Sequence, residues 1–361
     1  MRDTRLAALL LAAVGAAATP PVFAADLPRK AGALEDIPGL ESRYQTLQTR
    51  DGLALRTIQT VPKQRGGKLP GIYFVQWLSC DTIELLASNR SAWASMMRRV
   101  ARESGHVMWR TEKAGVGDSE GDCTALDYVT ELAHHRDGLE AFRRSPHVDP
   151  DRIVVFGASM GANMAPLVAA GQPVAGIVVW GGGARTWFER QLGFSRRAME
   201  LAGKDMSTIS KRMSLHARFY AEYLLHGRTP AEIRRNDAAL GAVWSDIVGT
   251  EGDLLYGRPV AFHQQAQRQD WAAAWAAVTA PVLVLYGEHD WFEDVESART
   301  IARVVNAGAT GRAVLEVIPR LDHHFVAYPT PEAAFREKGG VVNEGPAVEA
   351  ILAWLREPRP R

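Results

Sequence analysis

Gly157, Ala158, Ser159, Met160 and Gly161 spell G-x-S-x-G, a spacing that can hold a serine out on a sharp strand-to-helix turn. The flanking residues agree with that reading. Ile153 to Phe156 form a short apolar strand pattern, and the small and apolar residues that follow, to Ala170, form a helix pattern. On such a turn the positions two before and two after the serine press against backbone, so glycine is the residue that fits. A serine so placed is a candidate nucleophile, and the first amides of the helix, Met160 N–H foremost, are candidate donors to an oxyanion. Pro166 falls inside the expected helix, where it removes a backbone bond and is expected to kink it near Ala162.

A serine hydroxyl is hardly ionised at neutral pH, so the nucleophile needs a base, and the base an orienting acid. Two stretches further on supply these residue types. Val282 to Tyr286 reads as a strand and runs into Gly287-Glu288-His289-Asp290. Ala313 to Ile318 reads as a second strand and is followed by Leu321-Asp322-His323-His324-Phe325. If both strands run parallel to the one before Ser159, Asp290 and a histidine lie at the same carboxyl edge of the sheet, where reacting groups of such sheets collect. Asp294 and Glu288 are the other acids in reach, and His323 and His324 are both open as the base.

The elements that must position these groups follow from hydrophobic pattern. Tyr44 to Thr49 and Leu53 to Thr60 are extended runs around Asp51-Gly52, a hairpin signal. Gly71 to Leu78 is nearly continuously apolar, as in a strand covered on both faces. Trp93, Met96, Met97 and Val100 recur at helical spacing, His106 to Arg110 reads as a strand, and Leu126 to Phe142 as a helix. Val174 to Trp180 is another buried strand. From about 184 to 270 the pattern turns to irregular helices, expected to be a mostly helical insertion that covers the site as a lid. Strand and helix then alternate to a terminal helix around Val348 to Leu355. The expected fold class is α/β, a mostly parallel sheet flanked by helices.

These motifs together resemble a serine hydrolase of the α/β-hydrolase superfamily: GASMG at 157–161, GEHD at 287–290, DHHF at 322–325 and RTEKAGVGDSEG at 110–121. The resemblance covers most of residues 40 to 357 apart from the insertion. It implies Ser159 as nucleophile, Asp290 as orienting acid and His323, rather than His324, as base. It also implies a second oxyanion donor after the third strand of that fold, which position for position is Leu78 N–H. Here the chain departs from the pattern, because Gln76-Trp77-Leu78 stands where His-Gly is common. The expected activity is hydrolysis of a small-molecule ester through an acyl-enzyme, with a prolyl-type serine peptidase of the same superfamily acting on short peptides, or a catalytically silent binding protein on the same fold, as alternatives.

The chain of 361 residues opens with Arg2 and Arg5, an apolar run from Leu6 to Ala18 and Val22-Phe23-Ala24, which reads as a signal peptide cut after Ala24. The apolar run is too short to span a bilayer, so no stable membrane insertion is expected of residues 25–361. Cleavage takes away two basic residues and one acidic, from 42 and 41 to 40 and 40, and a neutral chain argues against nucleic acid as a partner. The expected place is the periplasm or the exterior. There the two cysteines, Cys80 and Cys123, are expected to form a disulfide. Neither a phosphate-binding Gly-Lys-Ser/Thr loop nor a metal motif such as H-E-x-x-H is present, so no cofactor and no metal is expected.

Overall fold

The computed structural model describes residues 22–23, 27–30, 32–63, 66–248 and 253–357. The signal-peptide reading therefore falls almost entirely outside the described residues.

In chain order the elements are β1 (Val22–Phe23), β2 (Leu40–Gln48), β3 (Ala54–Pro62), β4 (Leu69–Val75), α1 (Ala92–Glu103), β5 (Val107–Thr111), α2 (Tyr128–Arg143), β6 (Val148–Ala158), α3 (Met160–Ala169) and β7 (Gly176–Trp180). Between β7 and the next strand lie α4 (Trp187–Leu201), α5 (Met206–Tyr220), a π-helical turn at Ala221–Leu225, α6 (Pro230–Asn236), α7 (Ala238–Val248), α8 (Val260–Gln267) and α9 (Trp271–Ala276). The chain then continues through β8 (Val282–Gly287), α10 (Val295–Gly308), β9 (Ala313–Ile318), β10 (Val326–Ala327), α11 (Pro331–Phe335), β11 (Val341–Val342) and α12 (Gly345–Arg356).

The main sheet has the order β1-β2-β3-β5-β4-β6-β7-β8-β9. The pairs from β1 to β5 are antiparallel and those from β5 through β4 to β9 are parallel. The expected mostly parallel α/β sheet is thus the one observed. The inner parallel strands, such as β7 and β8, are buried on both faces, which is why they read as continuous apolar runs, whereas the edge strand β9 leaves Val314 and Val317 exposed. In β6, Ile153 and Val155 enter one core while Val154, Phe156 and Ala158 enter the other, the period-two alternation of a strand.

Local chemistry sets the helix boundaries. Ser91 caps α1 by accepting from Ala94 N at 3.2 Å, and the helix buries Met96, Met97 and Val100. Asp127 caps α2 by accepting from Thr130 N at 2.8 Å, which leaves Leu126 outside the helix that its apolar character suggested. His134 and His135 on α2 are both buried, and burial pushes His135 down to about 4. α3 continues past Pro166 to Ala169.

β4 ends three residues earlier than its pattern suggests. The last residue pair between β4 and β6 is Val75 with Gly157, after which β6 turns into Ser159 and has no further backbone to offer. Gln76, Trp77 and Leu78 therefore leave the ladder and enter the loop above the sheet. The helical character expected for 184–270 holds from α4 to α8, whereas α9 packs on α3 and α10 and belongs to the sheet's own flank.

Cys80 and Cys123 form a disulfide that ties this loop to the one after β5. The bridge closes a loop with a sequence separation of 43, so its loss is expected to cost about 4 kcal/mol or somewhat less by chain entropy. Urea unfolding of the Cys80→Ser/Cys123→Ser protein against the oxidised parent measures this; equal midpoints would contradict it.

Candidate active site

Ser159 sits between β6 and α3 with φ 54° and ψ −120°, a conformation that non-glycine residues adopt only where the surroundings impose it. Its N–H donates to Trp180 O at 2.8 Å and its carbonyl accepts from Ala162 N at 2.9 Å. It occupies the N-cap position of α3, yet its side chain makes no capping hydrogen bond, so the hydroxyl is not consumed by the helix.

The two motif glycines are required by backbone contact. A methyl at Gly157 would lie 2.4 Å from Gly161 O, and one at Gly161 would lie 2.0 Å from Val75 O and 2.6 Å from Gln76 O. The start of α3, with Met160 buried as its first residue, is thereby pressed against the end of β4, the segment that leads to Leu78.

Asp290 lies in the loop after β8 and His323 in the loop after β9. The two strands are parallel neighbours with Gly287 paired to Ile318, so both loops leave the same edge. His323 Nδ1 is 2.6 Å from Asp290 Oδ2. The other carboxylate oxygen, Oδ1, accepts from Phe292 N at 2.9 Å and Glu293 N at 3.0 Å, which fixes the acid's orientation. Burial alone would favour the neutral imidazole. The Asp290 carboxylate, through charge and hydrogen bond, and the charge of Glu293 together outweigh burial and hold His323 above the ordinary histidine value.

The histidine loop is held by packing as well as by the acid. Trp180, the last residue of β7, donates from Nε1 to His323 O at 3.0 Å and stacks on Phe325 with ring centroids 4.2 Å apart. Asp322 Oδ1 accepts from His324 N at 2.9 Å and Val326 N at 2.8 Å, closing the turn. Adjacent residues of this loop point differently: the His323 side chain is buried on Asp290, and that of His324 is half-exposed with Asp322 Oδ2 at 3.8 Å. Of the reserve acids, Asp294 caps α10 and pairs with Arg185 and Arg197, while Glu288 is exposed and accepts from Arg320 N at 2.7 Å.

Ser159, His323 and Leu78 line one cavity of about 550 Å³. Phe74, Trp77, Trp93 and Phe292 contribute aromatic surface to it, and Trp77 and Trp93 pack with centroids 5.1 Å apart. Arg190 from α4 and Tyr256 from the turn before α8 also line it. Arg190 is paired with Glu293 at 2.7 Å and so carries no spare charge toward the cavity.

This arrangement belongs to a recognised lineage: a model described as the alpha/beta hydrolase family matches residues 69–337. The chain belongs to the alpha/beta hydrolase family. The fold of this hydrolase is similar to that of a thermostable carboxylesterase, EstE1, cloned from a metagenomic library, at 18% identity over 90% of this chain and 92% of that one, TM-score 0.53. It is similar also to an esterase of Pyrobaculum calidifontis, at 19% identity over 89% and 86%, TM-score 0.51, and to a hypothetical protein of Pseudomonas aeruginosa, at 14% over 88% and 94%, TM-score 0.54. No curated protein sequence matches this hydrolase significantly.

Several contributors to the site were not singled out from the sequence. Gly181, which directly follows the strand read at Val174 to Trp180, has φ 59°, and a methyl there would lie 2.8 Å from the His323 ring and 3.2 Å from Asp290 Oδ2. Gly182 and Gly183 likewise admit Ala162 and Ser297 at distances no Cβ tolerates. Three consecutive glycines at the end of a buried strand were the available signal. Gly181→Ala is expected to fold and to lose about 10²-fold in kcat, since a base displaced by an ångström costs that much. Turnover measured beside the melting temperature checks it; an unchanged kcat would refute the contact.

Proposed function

We propose that this hydrolase is an exported serine esterase acting on small-molecule carboxylic esters through an acyl-enzyme. The observation that carries the reading is the His323 Nδ1 to Asp290 Oδ2 hydrogen bond at the wall of a cavity that Ser159 also lines. With Nδ1 committed to the acid, Nε2 is the nitrogen available to a serine hydroxyl. His323 takes the proton as Ser159 Oγ attacks the ester carbonyl, Asp290 stabilises the resulting imidazolium, and the amides of Met160 and Leu78 receive the oxyanion. The departing alkoxide then takes the proton from His323. Water, deprotonated by the same imidazole, attacks the acyl-enzyme and releases the carboxylic acid, which restores Ser159.

The aromatic lining favours an apolar acyl or alcohol group, and a volume of about 550 Å³ suits a substrate of drug-like size. The segment between β7 and β8 serves as a lid in this reading, because Arg190 of α4 and Tyr256 of the turn before α8 line the cavity. Export rests on the signal pattern and agrees with the Cys80–Cys123 bridge. Cleavage after Ala24 removes β1 and leaves β2 as the edge strand.

A hydrolysis screen over p-nitrophenyl esters of increasing acyl length, with short peptide p-nitroanilides alongside, tests the substrate class. Ester turnover well above peptide turnover is expected. Dominant peptide turnover would replace the esterase reading with a peptidase one, and no turnover of either would favour a binding protein.

A further inference from the structure

Lys113 follows β5 in the glycine-rich loop that also carries Cys123, is buried, and takes no part in the chemistry above. Its ammonium is surrounded by three successive carbonyls of the loop after β4. Nζ donates to Trp77 O, to Leu78 O at 3.1 Å and to Ser79 O at 2.9 Å, and is ion-paired with Glu131 Oε1 at 3.4 Å. An ammonium has three donors, and here three backbone acceptors meet it. Successive carbonyls point to opposite sides in a strand, whereas here three turn to one point, and the Lys113 ammonium occupies it.

The peptide geometry carries the consequence. The described peptide bonds are trans, and in a trans peptide the N–H points opposite to the C=O. With Trp77 O turned toward Lys113, Leu78 N–H is turned away from it. Trp77, Leu78 and Ser79 line the cavity with Ser159, and Lys113 stands behind them. We infer that Lys113 is a positioning residue for the oxyanion hole, its ammonium setting the Trp77–Leu78 peptide so that Leu78 N–H faces the oxygen of the tetrahedral intermediate. This rests on the reading of Ser159 as nucleophile.

The surroundings fasten Lys113 in turn. Glu131 on α2 is shared with Arg258, which comes from the segment between α7 and α8, and Arg258 also reaches Leu78 O at 3.4 Å and Leu126 O at 3.0 Å. His135 Nε2 is 4.0 Å from Glu131 Oε1. The charged and titratable groups that face Lys113 are thus Glu131 and His135 from α2, Arg258 from the insertion and Asp81 from its own carbonyl partners' loop. Burial pushes Lys113 down to about 8, with Arg258 adding to the shift while Glu131 and Asp81 oppose it. Below that pH the charged, three-donor form holds the peptide. Above it the hold weakens.

The test compares the full-length parent with Lys113→Met and with Lys113→Leu, in both of which the buried Glu131 keeps Arg258 as its ion-pair partner. For a p-nitrophenyl ester, kcat is expected to fall about 10²-fold with KM little changed, because one oxyanion donor is worth 10²–10³. Affinity for a trifluoromethyl ketone bearing the same acyl group should fall by the same factor, a loss that a merely structural lysine would not cause. In the parent, kcat and ketone affinity should decline together as pH rises above about 8, and the variants should lack that limb. A folded variant with parental kcat and ketone affinity overturns the inference, as does a loss confined to KM. If neither variant folds, a parent whose kcat and ketone affinity show no common alkaline decline overturns it. An active Ser159→Ala protein would instead remove the hydrolase reading itself, whereas an inactive Ser159→Ala beside an unaffected Lys113→Met removes only the role of Lys113.

Discussion

Ser159→Ala and His323→Ala are each expected to lower kcat by about 10⁶-fold while leaving the fold intact, because nucleophile and base act as a unit and either loss removes the whole covalent path. His324→Ala is expected to stay within a few-fold of the parent. The contrast follows from what the two imidazoles touch: both line the cavity, but His323 is buried with Nδ1 on Asp290, whereas the His324 side chain is half-exposed and its polar neighbour is Asp322. Initial rates at saturating ester, with circular dichroism to verify folding, separate the variants. An inactive His324→Ala with an active His323→Ala would reverse the base assignment.

Asp290→Asn is expected to cost about 10⁴-fold in kcat and to move the pH profile. In the proposed mechanism the neutral form of His323 is the base, so activity is expected to rise with pH through the pKa of that imidazole. Burial by itself lowers this pKa, and the Asp290 carboxylate, with the charge of Glu293, raises it to a net value above that of an ordinary histidine. The parent limb should therefore lie above about 6.5. Removing the carboxylate leaves burial opposed only by the weaker charge of Glu293, so the limb of the variant should move to lower pH even as its plateau falls. The amide can also donate to Nδ1, which favours the tautomer with its proton on Nε2 and so removes the acceptor that Ser159 needs. A variant limb at the parental pH would mean that another group sets the profile.

Much of the fold was legible because parallel strands buried on both faces leave continuous apolar runs, as in Ile153 to Phe156 and Val282 to Tyr286. The position of Asp290 and His323 at one edge followed from the strands that precede them, and the structure joins the two by a hydrogen bond. What the sequence concealed is of another kind. The end of β4 at Val75 is decided by the turn of a different strand, β6, and no property of Gln76-Trp77-Leu78 announces it. Lys113 reads as one cation in a glycine-rich acidic loop, since its partners are backbone carbonyls 34 to 36 residues away and carbonyls carry no sequence identity. Gly181 reads as the end of a strand, because the ring that excludes its side chain is on another loop, 142 residues later in the numbering. The burial of His134 and His135 was equally hidden, as α2 buries polar residues such as Glu131 and Asp137 along with apolar ones.

Covalent labelling with a fluorophosphonate probe tests most directly whether Ser159 is an activated nucleophile. The folded parent should gain one adduct per chain, tandem mass spectrometry should place it on Ser159, and heat-denatured protein should gain none. Labelling should rise with pH along the same limb as turnover, since both draw on neutral His323. A folded, ester-cleaving protein that takes up no probe, or carries the adduct on another residue while Ser159 stays unmodified, would contradict the central claim.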